Sequence, residues 1–321
     1  MIITIKQNIK EIVQILILTF VCNVTLASES KIEVYPQRKD IKGNPKSIEE
    51  ILYKSVNLTD TVTKKDIHCI DLYEFTKKRY ITVNVRYCEC NFISKTTYSY
   101  NKNNNLINVN SYDSLKNVIW QRIYVYKKKG KLSQREDICS DRSCYEKEIY
   151  KYIDNATYVY FYDIDGKLKY YTSDSRLKNI KTQTSYSSDG EIWYKRQYEF
   201  DKKGKIIRYS IQNNESTIYR YDDKGNLIEE FFPNDFRKRT YKYDDRGYLS
   251  EHAWQSYDAD YKVTYTYCVA GLLMEENHYK NEILYNRTIY KYDKKDNWIE
   301  KIEYESDNRM KITKRKIDYY K

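Results

Sequence analysis

The stretch Tyr219-Arg220-Tyr221-Asp222-Asp223-Lys224-Gly225-Asn226-Leu227 is followed 22 residues on by Tyr241-Lys242-Tyr243-Asp244-Asp245-Arg246-Gly247-Tyr248-Leu249. The shared string is Tyr-x-Tyr-Asp-x-x-Gly-x-Leu. Asp at its fourth place and Gly three residues later fit a type I turn, with Gly in the left-handed region forming a bulge that closes a β-hairpin. In that geometry Tyr221 sits opposite Leu227. The strand period of two then puts Tyr219, Tyr221 and Leu227 on one face.

Working outward, the string recurs as Tyr160 to Leu168, Tyr198 to Ile206 and Tyr290 to Trp298. Looser copies run Tyr73 to Ile81, Tyr98 to Leu106, Tyr124 to Leu132, Thr184 to Ile192 and Tyr265 to Leu273, and Asp40 to Pro45 keeps only the turn. The glycine places in these copies are 43, 79, 104, 130, 166, 190, 204, 225, 247, 271 and 296. Gly43, Gly130, Gly166, Gly190, Gly204, Gly225, Gly247 and Gly271 are all eight glycines of the chain, so each is assigned as a structural turn residue. Asn104 and Asp296 tolerate a left-handed backbone, whereas Arg79 fits it poorly. The ten fuller copies place 17 Tyr, two Phe and one Thr at the two aromatic positions, with mostly polar residues between them. A/T-rich codons could inflate Tyr and deplete Gly, but they cannot put every Gly at one place of a repeat.

Most glycine places are 21 to 26 residues apart, room for two strands and two turns; two steps of 36 leave space for insertions. A step of 14 between Gly190 and Gly204 demands short strands or a false copy. No helical periodicity or flexible linker interrupts the series, and Ser47 to Tyr53 reads as a strand. The expected fold class is all-β: an extended antiparallel β-meander of repeated hairpins over residues 28–321, a single β-repeat domain clearest at 198–298.

The N-terminus has the pattern of a secretory signal peptide over residues 1–27. Lys6 and Lys10 precede an apolar core from Ile12 to Val21, with cleavage expected between Ala27 and Ser28. The core is short of the ~20 residues that a membrane span needs, so no integral span is expected after cleavage. Six Cys remain beyond it, an even number that in an exported chain favours disulfides. Cys139 with Cys144 is the first candidate pair, and Cys69 with Cys88 or Cys90 the second. A metal site from Cys88, Glu89 and Cys90 with His68 and Cys69 is the alternative, without the usual zinc spacing.

The Tyr-Asp-x-x-Gly-x-Leu string at this spacing resembles the YD repeats of RHS-type bacterial proteins, whose relatives include the teneurin shells. The resemblance covers about residues 73–298 and implies a curled sheet or open spiral. At 321 residues the chain is far too small to close a toxin-encapsulating shell. Its layout looks more like the small exported bacterial YD-repeat proteins of unassigned function.

The chemistry of sites adds little. His68, His252 and His278 are the only histidines, and none lies in a zinc-protease or nucleophile-elbow pattern. The recurring turn carboxylates Asp163, Asp201, Asp222, Asp244 and Asp293 read as caps, not catalysts. No enzyme activity and no cofactor is expected. The motif tyrosines read as core, while Trp193, Trp254, Tyr257 and Tyr261 stand outside the motif and are the candidate ligand contacts. Lys and Arg total 57 against 46 Asp and Glu, and their interspersion favours an envelope protein or glycan over nucleic acid as partner. The expected function is a non-catalytic binding or scaffold module at the bacterial cell envelope, in the periplasm, on the cell surface or secreted. A carbohydrate-binding or carbohydrate-active surface protein and an outer-membrane β-barrel are the alternatives. The barrel needs an uncharged lipid face, and charges recur densely here.

Overall fold

A computed structural model describes Arg38 and residues 40–321 apart from 213, 235, 306 and 307. The signal-peptide segment 1–27, with its Ala27 and Ser28 junction, lies outside the described residues. Strands β1 (Pro45–Tyr53), β2 (Val56–Asn57), β3 (Ile67–Phe75), β4 (Ile81–Cys88), β5 (Asn91–Tyr100), β6 (Leu106–Tyr112), β7 (Val118–Tyr126) and β8 (Leu132–Cys139) open the series. They continue as β9 (Tyr145–Ile153), β10 (Ala156–Tyr162), β11 (Leu168–Leu177), β12 (Ile180–Ser187), β13 (Ile192–Phe200), β14 (Ile206–Ile211), β15 (Asn214–Tyr221) and β16 (Leu227–Phe232). The last are β17 (Arg237–Tyr243), β18 (Leu249–Gln255), β19 (Asp260–Tyr267), β20 (Leu273–Lys280), β21 (Ile283–Tyr292), β22 (Trp298–Glu305) and β23 (Arg309–Tyr319).

From β3 to β23 every strand pairs antiparallel with its neighbours in sequence, and β1 pairs with both β3 and β23. The expected meander is therefore present, but it closes into a 22-strand ring and does not stay open as a spiral. Only β2 stands apart, as a short continuation of β1 along β23. Closure leaves the barrel no unpaired strand edge.

The hairpins form as the repeat dictates. At 222–226 the Gly225 N–H donates to the Asp222 carbonyl at 2.9 Å, and Tyr221 pairs with Leu227 across a bulge. The Asp222 carboxylate accepts from the Asn226 backbone N–H at 2.7 Å, so the Asp caps its own turn. Gly225 has φ of +88°, which explains its residue type. Arg79 corrects an expectation: it adopts φ of 69°, and its hairpin forms as the others do. The Arg79 guanidinium hydrogen-bonds the Ile41 carbonyl, a partner that holds the residue in this backbone region.

Strand parity explains the irregular spacing. Turns at 79, 104, 130, 204, 225, 247, 271 and 296, with Gly43 ahead of β1, all lie at one end of the barrel, the motif end. The step from Gly130 to Gly166 spans three strands, β8 to β10, and not an insertion within two; that from Gly190 to Gly204 spans β13 alone. Gly166 and Gly190 consequently lie at the far end, and both copies are genuine. A hairpin reversed end for end, while keeping its order around the ring, is rotated about an axis across the strands. Its motif face therefore turns to the other side of the sheet. Phe161 pairs with Glu148 and Tyr170, whereas Tyr160 and Tyr162 pair on the opposite face with Ile149 and Lys147. The single tyrosine face that the repeat implies thus breaks here: Tyr160, Tyr171 and Tyr186 form an outlying row with ring centroids 5.3 and 4.5 Å apart.

Burial concentrates on the main tyrosine face, where Ile48, Phe75 and Ile81 with Ile41 form a core beside Tyr73 and Tyr98. The closing seam is next to it. Arg315, its side chain 4% exposed, reaches Glu50 at 2.7 Å and Asp40 at 2.8 Å, and lies over the Trp298 ring. Asn297, with no exposed surface, donates to the Lys42 carbonyl at 3.1 Å and to Tyr319 Oη at 2.7 Å. Both expected disulfides are present, and of the two options for Cys69 the partner is Cys88; Cys139 joins Cys144 in the β8–β9 turn. Oxidation of Cys69 and Cys88 removes two ligands from the alternative metal set. Cys90 and Cys268 are free thiols.

Candidate ligand-facing aromatic ladder

Period-two alternation and the hairpin registers bring Tyr241 of β17, His252 and Trp254 of β18 and Tyr261 of β19 onto the tyrosine face. Tyr241 stacks on His252 with centroids 4.7 Å apart, His252 meets Trp254 at 4.9 Å, and Trp254 stacks on Tyr261 at 5.2 Å. The Lys280 ammonium lies 5.6 Å from the Tyr261 ring centroid and pairs with Asp258 at 3.0 Å. Arg239 flanks the other side, opposite Trp254 in register and 3.4 Å from Glu230.

All four rings are half-buried. Burial, and then the Arg239 charge, depress the His252 pKa, so the imidazole is neutral at neutral pH. Its Nε2 is buried without a hydrogen-bond partner. The row thus combines π surface, one unmet polar atom and flanking charges of both signs, a combination suited to stacking and hydrogen-bonding a polar ring.

Of the four candidate contacts, the structure brings Trp254 and Tyr261 together in this ladder. Tyr257 occupies the connecting turn, 90% exposed, with the Arg237 guanidinium 5.0 Å from its ring centroid. Trp193 lies elsewhere, on β13 at the far end, 56% exposed and 6.0 Å from Tyr170. The repeat counts Tyr241 among its core tyrosines, and no motif marks His252; the pairing of Tyr241 with His252 is the signal that joins them, and it appears once the Tyr243–Leu249 register is fixed.

Charge pairs occur on both faces of the sheet. The tyrosine face carries Arg122 with Asp137 at 2.6 Å and Arg135 with Glu148 at 2.7 Å. Burial pushes the Glu148 carboxyl above its usual range, against the pull of Arg135. The opposite face carries Arg220 with Glu229 at 2.6 Å and Lys242 with Glu251 at 2.7 Å, with Lys291 against Glu300. Among the described residues no group of three or more His, Cys, Asp or Glu is placed to hold a metal ion, and no helix is long and apolar enough to cross a membrane.

The ring and its ladder define the class: a large closed antiparallel β-barrel with a half-buried aromatic row. No protein-family model matches the chain, and no curated protein sequence matches it. Among solved structures it is similar to the TcdB2-TccC3-Cdc42 crystal structure at 12% identity and a TM-score of 0.31, over 78% of this chain and 19% of that one. It is also similar to a porin-like protein from Bacteroides uniformis at 10% identity and a TM-score of 0.30, over 85% of this chain and 98% of that one. The chain spans about a fifth of the length of the first of these.

Proposed function

We propose that the protein is an exported, non-catalytic barrel of the bacterial cell envelope that binds a glycan or an envelope protein. The ladder Tyr241–His252–Trp254–Tyr261 carries this reading, because its rings are half-buried and the His252 Nε2 lacks a partner. The two disulfides agree with an oxidising compartment. A glycan array and an envelope pull-down, each with Trp254→Ala beside the native chain, test it. Loss of one specific ligand in the variant is the expected result. Turnover of a polymeric substrate, abolished by replacing one Asp or Glu, would overturn the non-catalytic part.

A second reading, an outer-membrane β-barrel, is favoured by ring closure with an even strand number. A lipid face must exclude charge over a band about 25 Å tall, and here both faces carry pairs within the strands such as Arg122–Asp137 and Arg287–Glu275. Heat-modifiable migration of protein extracted from membranes would select this reading. Release by carbonate wash would select the water-exposed barrel.

A further inference from the structure

We propose that the motif end of the barrel docks on an anionic phospholipid surface, led by the three neighbouring turns at 76–80, 101–105 and 127–131. The two ends of the barrel differ in charge. Turns 40–44, 76–80, 101–105, 127–131, 154–155, 178–179, 201–205, 222–226, 244–248, 268–272 and 293–297 hold 17 Lys and Arg against nine Asp at the motif end. The described turns at the far end hold six bases against 11 acids, including Asp113, Asp141, Asp163, Asp165, Asp189 and Glu191.

Within the motif end the three leading turns hold eight bases and no acid: Lys77 to Arg79, Lys102, Lys127 to Lys129, and Lys131. All eight are exposed, and among the described residues none forms an ion pair. The turn chemistry shows how the acids are avoided. Where Asp222 or Asp244 caps a turn elsewhere, Thr76 Oγ1 accepts from the Tyr80 N–H at 3.2 Å, and Asn101 Oδ1 accepts from the Asn105 N–H at 3.0 Å. The third turn has Lys127 at the capping place. Neutral acceptors keep the hairpins, and the arc stays uniformly cationic.

Neighbouring turns are two strands apart, about 10 Å, comparable to the Debye length in physiological salt, so their fields merge. The bases continue around the ring through Lys202, Lys203, Lys224, Arg246, Lys294 and Lys295. A surface can meet this end all at once, whereas no row of exposed rings marks a track for a linear polyanion. The turn tips carry no large exposed aliphatic side chain in the leading arc, which makes the contact electrostatic adhesion and not insertion. The ladder reaches the far end through Trp254 and Tyr261, so a docked barrel would hold it away from the membrane.

The proposal rests on the water-exposed reading above, and carbonate wash tests that reading separately. The test here is co-sedimentation of the purified full chain with phosphatidylcholine vesicles, with and without phosphatidylglycerol. Binding is expected only with phosphatidylglycerol and should fall roughly tenfold or more as salt rises from about 0.05 to 0.5 M. The triple variant Lys127→Gln, Lys128→Gln, Lys129→Gln should weaken it at least roughly tenfold with an unchanged circular dichroism spectrum. Far-end replacements Lys64→Gln and Lys116→Gln should leave it unchanged. Equal binding to neutral vesicles, full binding by the folded triple variant, or capture of an acidic polysaccharide with no vesicle binding would each overturn the proposal.

Discussion

The Tyr243 hydroxyl donates to the Leu227 carbonyl at 2.9 Å, from the second tyrosine of one repeat to the leucine place of the repeat before it. The same bond joins Tyr100 to Ile81, Tyr126 to Leu106, Tyr221 to Ile206 and Tyr292 to Leu273, at 2.6 to 2.8 Å. Across the closing seam the Tyr320 hydroxyl donates instead to the Phe75 carbonyl, at the end of β3. At the repeat bulges the tyrosine hydroxyl of the next hairpin hydrogen-bonds the first residue of the returning strand. The tyrosine repeat is thus the device that joins one hairpin to the next.

Tyr243→Phe should cost about 0.5–1.5 kcal/mol in chemical denaturation, the worth of one such hydrogen bond. Tyr162→Phe, on a reversed hairpin where no such bond forms, should cost far less. Equal losses would count against the reversal of the 160–168 hairpin.

Gly225→Val should destabilise by roughly 1–3 kcal/mol, since a β-branched residue is strained at positive φ. The Lys205 side chain that would meet the new Cβ can move aside, so backbone strain dominates. An unchanged melting curve would contradict the bulged-turn geometry.

The hairpin unit was legible in sequence because its chemistry is local. Asp222, Gly225 and the Tyr221–Leu227 pairing follow from one turn, and so do both disulfides in outline. Closure was not legible, since it depends on pairs such as Glu49 with Lys316 that no motif records. The reversed hairpins were written in the spacings of 36 and 14, but only a count of strands converts spacing into an end of the barrel. Trp254 and Tyr261 stood out as non-motif aromatics; Tyr241 and His252 required the register.

Acid should loosen the turns. The Asn226 side-chain and backbone N–H groups hold the Asp222 carboxyl below its usual range, and Asp244 and Asp293 are lowered as well. A folded pKa below the unfolded value gives stability that is present above about pH 3.8 and lost as pH falls through the folded value. Glu148, raised by burial, acts oppositely: its contribution is present below about pH 4.5 and fades as pH rises through its folded value. Thermal melting as a function of pH checks both, with Asp222→Asn flattening the acid limb and Glu148→Gln flattening the decline as pH rises above it.

Arg315→Ala should cost about 1.5–3 kcal/mol, the range for losing hydrogen bonds to charged groups, because Arg38 still pairs with Glu50 and Asp40. Urea unfolding provides the measurement, and a loss under 1 kcal/mol would show that the seam is solvated.

Alkylation of the folded, unreduced protein should label only Cys90 and Cys268 among the cysteines at 69, 88, 90, 139, 144 and 268. Reduction of Cys69–Cys88, which encloses a loop of sequence separation 19, should lower stability by about 2–4 kcal/mol. Labelling at Cys88 without reductant would contradict that pairing.

Closure of the ring is tested most directly by an engineered cross-link at the seam. Glu49 and Lys316 lie directly opposite each other on β1 and β23. In a Cys90→Ser, Cys268→Ser background, Glu49→Cys with Lys316→Cys should form an intramolecular disulfide on mild oxidation, read by peptide mapping of the monomer. Two free thiols in the oxidised monomer, or disulfides only between molecules, would contradict a closed barrel.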